Sequence, residues 1–199
     1  MLVNGPTWVT SSKVGNGALN FDGVNDRVSV SNSSSINDLD ILTVSAWIYK
    51  NSNGGGNAGR IIDKGNKILL YTGSSNGVTF GVGRWTTSGS WGTAGNTFKN
   101  KTWTHIVVTY DYSNLSNIPN IFVNGVMVTT TNTQPTGTKS SETSTFVIGD
   151  NGGGIRVFDG IIDDVRLYNR ILSGQEIVDL FNQRLLITLP TPPTILSPL

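Results

Sequence analysis

Apolar and polar positions alternate in short stretches along most of this chain, and each stretch is followed by residues rich in Gly, Asn, Ser or Thr. A period of two residues is typical of β-strands that bury one face, and Gly- and Asn-rich stretches are typical of turns. The pattern therefore predicts an all-β protein. The predicted strands cover residues 18–21, 27–30, 42–49, 60–64, 68–72, 78–82, 102–110, 120–123, 126–128, 146–149 and 160–168.

The segment 42–49 shows the alternation over eight residues, with its even-numbered residues apolar and its odd-numbered residues on the opposite face. Farther along, Asn124-Gly125 separates two short apolar stretches, and this dipeptide favours the two-residue type I′ turn of a β-hairpin. The segments 51–59 and 86–96 are rich in Gly, Asn, Ser and Thr and carry little strand signal. We expect both of them to be loops.

One helix is predicted near the end of the chain. Ser173 and Glu176 have the spacing of a capping box, and apolar residues follow at helical spacing, which predicts a helix over residues 174–183. Four prolines follow this helix and predict an extended tail. We therefore expect one domain over residues 1–184 and a Pro-rich tail or linker over residues 185–199.

Composition excludes several classes of function. Lys and Arg number 14 and Asp and Glu number 13, a net charge of +1, which argues against a nucleic-acid binder that depends on bulk positive charge. The sequence has no Cys, which excludes disulfides and thiolate metal sites. It has no apolar run long enough to predict a membrane span, and its first residues do not resemble a signal peptide. We expect a mature or excised piece, or else a cytosolic or viral product made without a signal.

The inventory of catalytic side chains is small. His105 is the single histidine, and Glu142 and Glu176 are the two glutamates. A Ser-His-Asp triad would have to use His105, no nucleophile elbow or phosphate-binding loop is present, and one His without Cys does not make a typical zinc site. We expect His105 to be a strand residue that forms a hydrogen bond with a neighbour.

Five segments resemble, in their order along the chain, the motifs of the laminin-G-like, concanavalin A-like lectin and glucanase domains. They are ALNFDGVNDRV at 18–28, TVSAWI at 43–48, WTHIVVTY at 103–110, IFVNG at 121–125 and FDGIIDDVRLYNRILS at 158–173. Each motif is weak alone, but five in the same order are specific, and the resemblance covers residues 15–183. It implies an all-β, two-sheet antiparallel β-sandwich of the jelly-roll type with one short C-terminal helix.

The resemblance also implies an extracellular or cell-surface protein that binds glycans or proteins and often one Ca²⁺ ion. Many members begin with an edge strand before the position of this chain's first residues. Either residues 185–189 replace that strand, or an edge of the sheet stays open and invites pairing with a neighbour. We expect Trp8 to cover an edge.

The resemblance implies a structural calcium site formed by a turn and by the closing strand. The turn carries Asp22, Asn25 and Asp26, and the strand carries Asp163 and Asp164. Ca²⁺ takes six to eight oxygen ligands, so the two motifs must come together in the fold. In the alternative interpretation, the side chains of the turn bond only to its backbone, and Asp164 pairs with a nearby arginine.

Aromatic residues in and near a predicted loop are the candidate sugar ligands. Trp85 and Trp91 lie in or beside the segment 84–96, and Tyr71 and Arg84 could accompany them on the concave sheet that the resemblance implies. In the alternative interpretation, these side chains cap the sandwich instead.

Related glucanases carry a strand motif of the E-x-D-x-x-E type. Glu142 and Glu176 lie 34 positions apart, so this motif is absent. The sequence therefore predicts a non-catalytic, lectin-like module of a secreted or surface protein, stabilised by calcium, whose partner is a glycan or polysaccharide. The alternative is a structural or adhesion module, such as part of a fibre, pilus, capsid, virion surface or surface layer, that binds protein or self-associates through an open edge.

Overall fold

The structure of the protein is a computed structural model that describes residues 1–182. It contains seventeen strands, a short 3-10 helix at Gly55–Asn57 and one α-helix. The elements are β1 (Leu2–Val3), β2 (Thr7–Val9), β3 (Ala18–Asp22), β4 (Arg27–Val30), β5 (Ile41–Lys50), β6 (Ala58–Lys64), β7 (Ile68–Gly73), β8 (Val78–Val82), β9 (Trp85–Thr87), β10 (Gly89–Thr93), β11 (Trp103–Asp111), β12 (Asn120–Val123), β13 (Val126–Val128), β14 (Thr130–Thr133), β15 (Thr136–Lys139), β16 (Phe146–Ile148), β17 (Asp159–Tyr168) and α1 (Gly174–Phe181).

Two large antiparallel sheets form a β-sandwich, as the sequence predicts. Sheet A has eight strands in the order β1-β4-β16-β6-β7-β8-β10-β14, and sheet B has seven in the order β13-β12-β11-β5-β17-β3-β2. A small two-stranded sheet pairs β15 with β9. Strands distant in sequence are neighbours in space, so that β17 near the end of the described chain lies between β5 and β3.

The core lies between the two sheets and is built by the alternation seen in the sequence. On β5, the even-numbered residues from Leu42 to Ile48 are fully buried and face the core. Leu70 and Phe80 meet them from sheet A and are fully buried as well. Burying such side chains contributes roughly 1.5–3 kcal/mol each, so this interior is the main source of the stability of the fold.

The hairpin predicted at Asn124-Gly125 is confirmed. β12 and β13 pair directly on either side of this dipeptide. Asn124 has a φ of 51° and Gly125 a φ of 79°. Positive φ at both positions is what a type I′ turn requires, which explains why the sequence uses Asn-Gly here.

The prediction that residues 86–96 form a loop is wrong. Residues in this segment form β9 and β10, and β10 pairs with β8 on one side and with β14 on the other. Glycines at 89 and 92 lower the strand propensity that a sequence displays. Trp91 supplies the stabilising burial instead, because it faces the core opposite Phe80 and is 1% exposed.

The helix α1 covers the outer face of sheet B. Ser173 Oγ accepts a hydrogen bond from the backbone N–H of Glu176, and the Glu176 carboxylate accepts one from the backbone N–H of Ser173, so the predicted capping box is confirmed. Ile177 packs with Leu172 and with Val107 of β11. The helix ends at Phe181, two residues before the predicted end, and the predicted tail over 185–199 lies outside the described residues.

Strand β2 is the last strand of sheet B within residues 1–182. Residues 185–189, predicted as a possible extra edge strand, lie beyond this part of the chain. Within the same residues, no helix has the length and apolar character needed to cross a membrane.

Candidate functional site

Tyr71 lies on the outer face of sheet A. Leu70 and Phe80 point into the core, so their neighbours Tyr71 and Thr79, which pair with each other across β7 and β8, point outward. Both outward side chains are half-buried. This outer face is the surface on which the remaining groups are found.

A β-bulge places two charged residues of β6 beside Tyr71. Arg60 pairs with Tyr71, but the register shifts before Ile62, so that Asp63 pairs with Leu69. A bulge adds one residue to one strand, which reverses the faces of the residues that follow it. Arg60 and Asp63, three positions apart, therefore share the outer face instead of lying on opposite faces.

The Arg60 side chain is held in a fixed orientation. Its Nε donates to Asp63 Oδ2 at 3.3 Å, and its guanidinium carbon lies 4.4 Å from the centre of the Tyr71 ring. The pair is buried, with Arg60 9% and Asp63 1% exposed. Within residues 1–182 the bond to Asp63 is the one hydrogen bond of this side chain, so both terminal amino groups are free to donate to a ligand. We call Arg60, Asp63, Tyr71 and Thr79 the Arg60 site.

The surroundings of Asp63 oppose its ionisation. Burial raises the pKa of Asp63, and the nearby negative charge of Asp150 acts in the same direction, while the N–H of Asn66 and the Arg60 guanidinium lower it. Asp150 is fully buried; its Oδ2 accepts from the N–H of Gly154 at 2.8 Å, and its Oδ1 has no partner among residues 1–182. Arg60, Asp63 and Asp150 belong to no predicted site, although three charges in the strand β6, at positions 60, 63 and 64, are a visible signal.

Three of the four predicted sugar ligands are in the interior. Trp91 is 1% and Trp85 9% exposed, and the Trp91 ring lies 5.5 Å from that of Tyr110. Arg84 is 2% exposed. Their burial favours the alternative interpretation, in which these side chains pack within the sandwich. Trp85 lies on β9 and Trp91 on β10, so both belong to strands rather than to the predicted loop.

Arg84 ties two surface segments together instead of binding a ligand. Its Nη1 donates to the carbonyl of Leu39 at 2.8 Å, its Nε donates to the carbonyl of Ser140 at 3.1 Å, and its Nη2 pairs with Asp38 at 3.2 Å. With three nitrogens occupied, the guanidinium joins the segment before β5 to the segment after β15.

Trp8 presents an exposed aromatic ring at the edge of sheet B. It is 70% exposed and borders a cavity of about 230 Å³ that opens between the two sheets. The cavity wall is mostly apolar and includes Leu19, Phe21, Val28 and Ile148. Trp8 therefore lies at an edge, as expected, but its ring faces solvent at the mouth of a cavity.

The structure does not bring the five predicted calcium ligands together. Asp22 pairs with Asp159, whereas Asp163 lies four residues farther along β17. At about 3.3 Å per residue, this separates the two predicted halves of the site by roughly 13 Å along the strand. The five-residue site predicted from the sequence therefore does not fit the fold.

Asp163 and Asp164 have protein partners of their own. Asp163 Oδ2 accepts the backbone N–H groups of Lys13 at 2.7 Å and Val14 at 2.8 Å, and its Oδ1 accepts that of Asp164. Asp164 Oδ1 pairs with Arg166 Nε at 2.8 Å. This is the alternative interpretation that the sequence left open for Asp164, and it makes both carboxylates structural.

The turn at the end of β3 keeps its carboxylates close together. Asp26 Oδ2 accepts the N–H of Asp22 at 3.0 Å, and Asp22 Oδ1 accepts the N–H of Val24 at 2.8 Å. Burial raises the pKa of Asp26, and the neighbouring charge of Asp22 adds to this effect. Asn25 is exposed beside them. No group of three or more acidic or histidine side chains within residues 1–182 is arranged to hold a metal ion.

His105 is a buried strand residue with a hydrogen-bonded neighbour, as expected. It is 1% exposed, and its Nε2 lies 3.0 Å from Ser45 Oγ. Its ring lies beside those of Trp47 and Phe181, with centroid distances of 4.9 and 6.2 Å. Burial, assisted by the positive charge of Arg166, lowers the pKa of His105 to about 4. The ring is therefore neutral at physiological pH and closed off from substrate by α1.

Both glutamates have structural partners. Glu176 caps α1 and pairs with Arg170, and this guanidinium lowers the pKa of Glu176 to about 2. Glu142 is 1% exposed, and its Oε1 lies 3.6 Å from the ammonium of Lys64. Neither carboxylate lies at the Arg60 site.

A comparison with family models gives a result that agrees with the observed strand order and the two stacked sheets. The model for the concanavalin A-like lectin/glucanases superfamily matches residues 22–178. The chain belongs to this superfamily. The match covers all five motifs in part or in full, and it confirms the resemblance noted from the sequence. None of the curated proteins is similar enough in sequence to match this chain.

Solved structures share the fold at low sequence identity. The CBM40 of the Ruminococcus gnavus IT-sialidase, bound to α2,3 sialyllactose, has a TM-score of 0.57 at 14% identity, and the match covers 78% of this chain and 95% of that one. The ligand-binding domain of botulinum neurotoxin serotype D, in complex with N-acetylneuraminic acid, has a TM-score of 0.68 at 14% identity, covering 94% of this chain and 46% of that one. The binding domain of Paraclostridial mosquitocidal protein 1 has a TM-score of 0.69 at 15% identity, covering 92% of this chain and 47% of that one. The chain thus spans less than half the length of the two toxin domains, and these likenesses establish the fold.

Proposed function

We propose that this protein is a non-catalytic carbohydrate-binding module and that sugar binds at the Arg60 site. The observation that carries the proposal is the guanidinium of Arg60, which is fixed by Asp63 and Tyr71 and keeps both terminal amino groups free. Binding sites gain affinity when donors are already oriented before the ligand arrives, because less conformational entropy is lost on binding.

The chemistry of the Arg60 site suits a polyhydroxylated ligand. Sugar hydroxyls both donate and accept hydrogen bonds, and the site offers guanidinium donors, the hydroxyls of Tyr71 and Thr79, and an aromatic edge. Two proteins of similar fold bind N-acetylneuraminic acid or α2,3 sialyllactose, which supports a glycan as the ligand class.

The placement of the glutamates supports a non-catalytic module. Glycoside hydrolysis generally needs two carboxyl groups that flank one bond in an open site. Glu142 is buried against Lys64, and Glu176 caps a helix. A turnover assay on polysaccharides is expected to be blank, and sustained hydrolysis by the pure protein would overturn this part of the proposal.

The ligand class is tested by a glycan array probed with the wild type and with Tyr71→Ala. Tyr71 is half-buried on the outer face, so its truncation leaves the core intact, and circular dichroism verifies the fold. We expect the wild type to bind a defined set of glycans and the variant to lose that set. An array on which neither protein binds, or on which both bind the same glycans equally, contradicts the proposal.

We propose further that calcium, predicted from the resemblance, binds at the turn of Asp22, Asn25 and Asp26 without Asp163 or Asp164. Two close carboxylates and one amide supply part of the oxygen set that Ca²⁺ prefers. Thermal unfolding with and without a chelator tests this. The midpoint of thermal unfolding of the wild type is expected to fall by several degrees on chelation, roughly the effect of 1 kcal/mol in a domain of this size. The midpoint of the Asp26→Asn variant is expected not to change on chelation. Identical wild-type curves refute the site.

A secreted or surface location also belongs to the proposal, because glycan-binding domains of this family act on extracellular sugars. The alternative function, assembly with other proteins, is favoured by one observation: among residues 1–182, β2 is the last strand of sheet B, and it carries the 70% exposed Trp8. Light scattering tests it. A stable oligomer that Trp8→Ala dissociates supports assembly, and a monomer at every concentration contradicts it.

A further inference from the structure

Lys64, at the end of β6, is a fully buried amine beside an amide carbonyl. It is 0% exposed, and it pairs across the sheet with Phe146 on one side and Ile68 on the other. Its Nζ lies 3.1 Å from Asn37 Oδ1 and 2.6 Å from the carbonyl oxygen of Ser144. The nucleophile and the electrophilic side-chain amide are therefore already in contact in the folded protein.

A buried carboxylate completes this cluster. Glu142 is 1% exposed, and its Oε1 lies 3.6 Å from Lys64 Nζ and accepts the N–H of Ser144 at 2.6 Å. Its Oε2 has no hydrogen-bond partner among residues 1–182. A carboxylate with one free oxygen beside an amine can take a proton from that amine and return it to a leaving group.

The position of Lys64 favours the neutral amine that such a reaction needs. Burial lowers the pKa of Lys64, while the charge of Glu142 and that of Asp38 partly oppose this effect. Asn37 itself is only half-buried in the segment between β4 and β5, so a small leaving group has a route to solvent.

We propose that Lys64 and Asn37 form an intramolecular isopeptide bond in a reaction promoted by Glu142. Glu142 takes a proton from the Lys64 ammonium, and the free Nζ attacks Cγ of Asn37. Glu142 passes this proton to Nδ2 and takes a second proton from Nζ. The Cγ–Nδ2 bond then breaks, and Nδ2 leaves as ammonia, which carries the second proton away from Glu142 as ammonium. One amide replaces another and one ammonia is lost, so no oxidant, reductant or other reactant is needed.

Lys50 provides an internal comparison. It is 1% exposed, and its Nζ contacts the amide oxygens of Asn53 at 3.0 Å and Asn76 at 2.8 Å. Burial alone lowers the pKa of Lys50, and within residues 1–182 no carboxylate forms an ion pair with it. Lys50 therefore has the amine and the amides but not the proton carrier, and we expect it to stay unmodified.

Mass spectrometry of the intact folded chain tests the bond. We expect the wild type to be lighter than its sequence mass by one ammonia, and a tryptic digest to contain one branched peptide that joins Lys64 to Asn37. Asn37→Ala, a change in a surface segment, and the isosteric Glu142→Gln are each expected to restore the full sequence mass. The matched control Asn53→Ala, which removes an amide from Lys50, is expected to keep the loss of ammonia.

Two results overturn the proposal. In one, the wild type has its full sequence mass, which makes the cluster an ordinary buried ion pair. In the other, ammonia is lost but Asn37→Ala still loses it, which places the loss at another asparagine, for example through a cyclic imide. Because the measurement is a covalent mass, it is independent of whether the Arg60 site binds sugar.

Discussion

The burial of His105 predicts how the stability of this protein depends on pH. The pKa of His105 is lowered from 6.5 to about 4, first by burial and then by Arg166, and the ammonium of Lys13 lies 4.7 Å from the neighbouring Trp47 ring. Asp163 is engaged by backbone N–H groups. In the unfolded chain the same histidine takes up its proton at the ordinary pKa, so acid favours unfolding.

The size and the pH window follow from that shift. The contribution of the neutral His105 ring to the free energy of unfolding is fully present above pH 6.5. It is lost as the pH falls from 6.5 toward 4. Since one pKa unit corresponds to about 1.4 kcal/mol, the loss across this window is about 3 kcal/mol. Below a pH of about 4 the folded protein is protonated as well, and the dependence on His105 levels off.

Urea unfolding of the wild type and of His105→Gln across this window measures the effect. Carboxylates that titrate in the same range are common to both proteins, so their contribution cancels in the difference. Between neutral pH and pH 4, we expect the free energy of unfolding of the wild type to fall by about 3 kcal/mol more than that of the variant. Parallel loss of stability in the two proteins would refute the assignment of a buried, neutral His105.

Three further predictions concern stability. Trp91→Ala removes a ring from the core beside Tyr110 and is expected to cost about 3–5 kcal/mol in chemical denaturation; a loss below about 1 kcal/mol would mean that the ring is not in the core. Asp163→Asn weakens the acceptor of two backbone N–H groups and is expected to cost roughly 1.5–3 kcal/mol whether or not calcium is present, so a cost seen only with calcium would restore Asp163 as a ligand. Ser173→Ala removes the cap of α1 and is expected to cost about 1 kcal/mol in thermal unfolding, and an unchanged midpoint contradicts the cap.

The sequence was informative wherever local chemistry dictates the structure. The alternation of 42–49, the Asn124-Gly125 turn and the capping box at Ser173 each follow from a short-range rule, and all three are confirmed. The fold class followed from the order of five motifs, and the family match confirms it.

The candidate site has little signal in the sequence, because its geometry depends on a change of register. Arg60 and Asp63 share a face only through the bulge before Ile62, and no periodicity in the sequence indicates that extra residue. A strand of regular alternation would have placed the two charges on opposite faces of sheet A.

Other errors arose where long-range pairing overrides local propensity. The Gly-rich segment that carries Trp91 is a strand because β8 and β14 flank it. Asp163 was separated from Asp22 by the register of β17 against β3, which only the sheet defines. Partners of this kind, distant in sequence, cannot be deduced from composition or spacing.

The most direct test of the Arg60 site is an equilibrium titration with the strongest ligand from the glycan array. Two aromatic residues are compared: the half-buried Tyr71 on the outer face of sheet A and the exposed Trp8 at the edge of sheet B. We predict that Tyr71→Ala weakens binding at least about tenfold, a loss of about 1.4 kcal/mol, while Trp8→Ala binds as the wild type does. Unchanged affinity in Tyr71→Ala together with lost affinity in Trp8→Ala would contradict the account and place the sugar at the edge cavity.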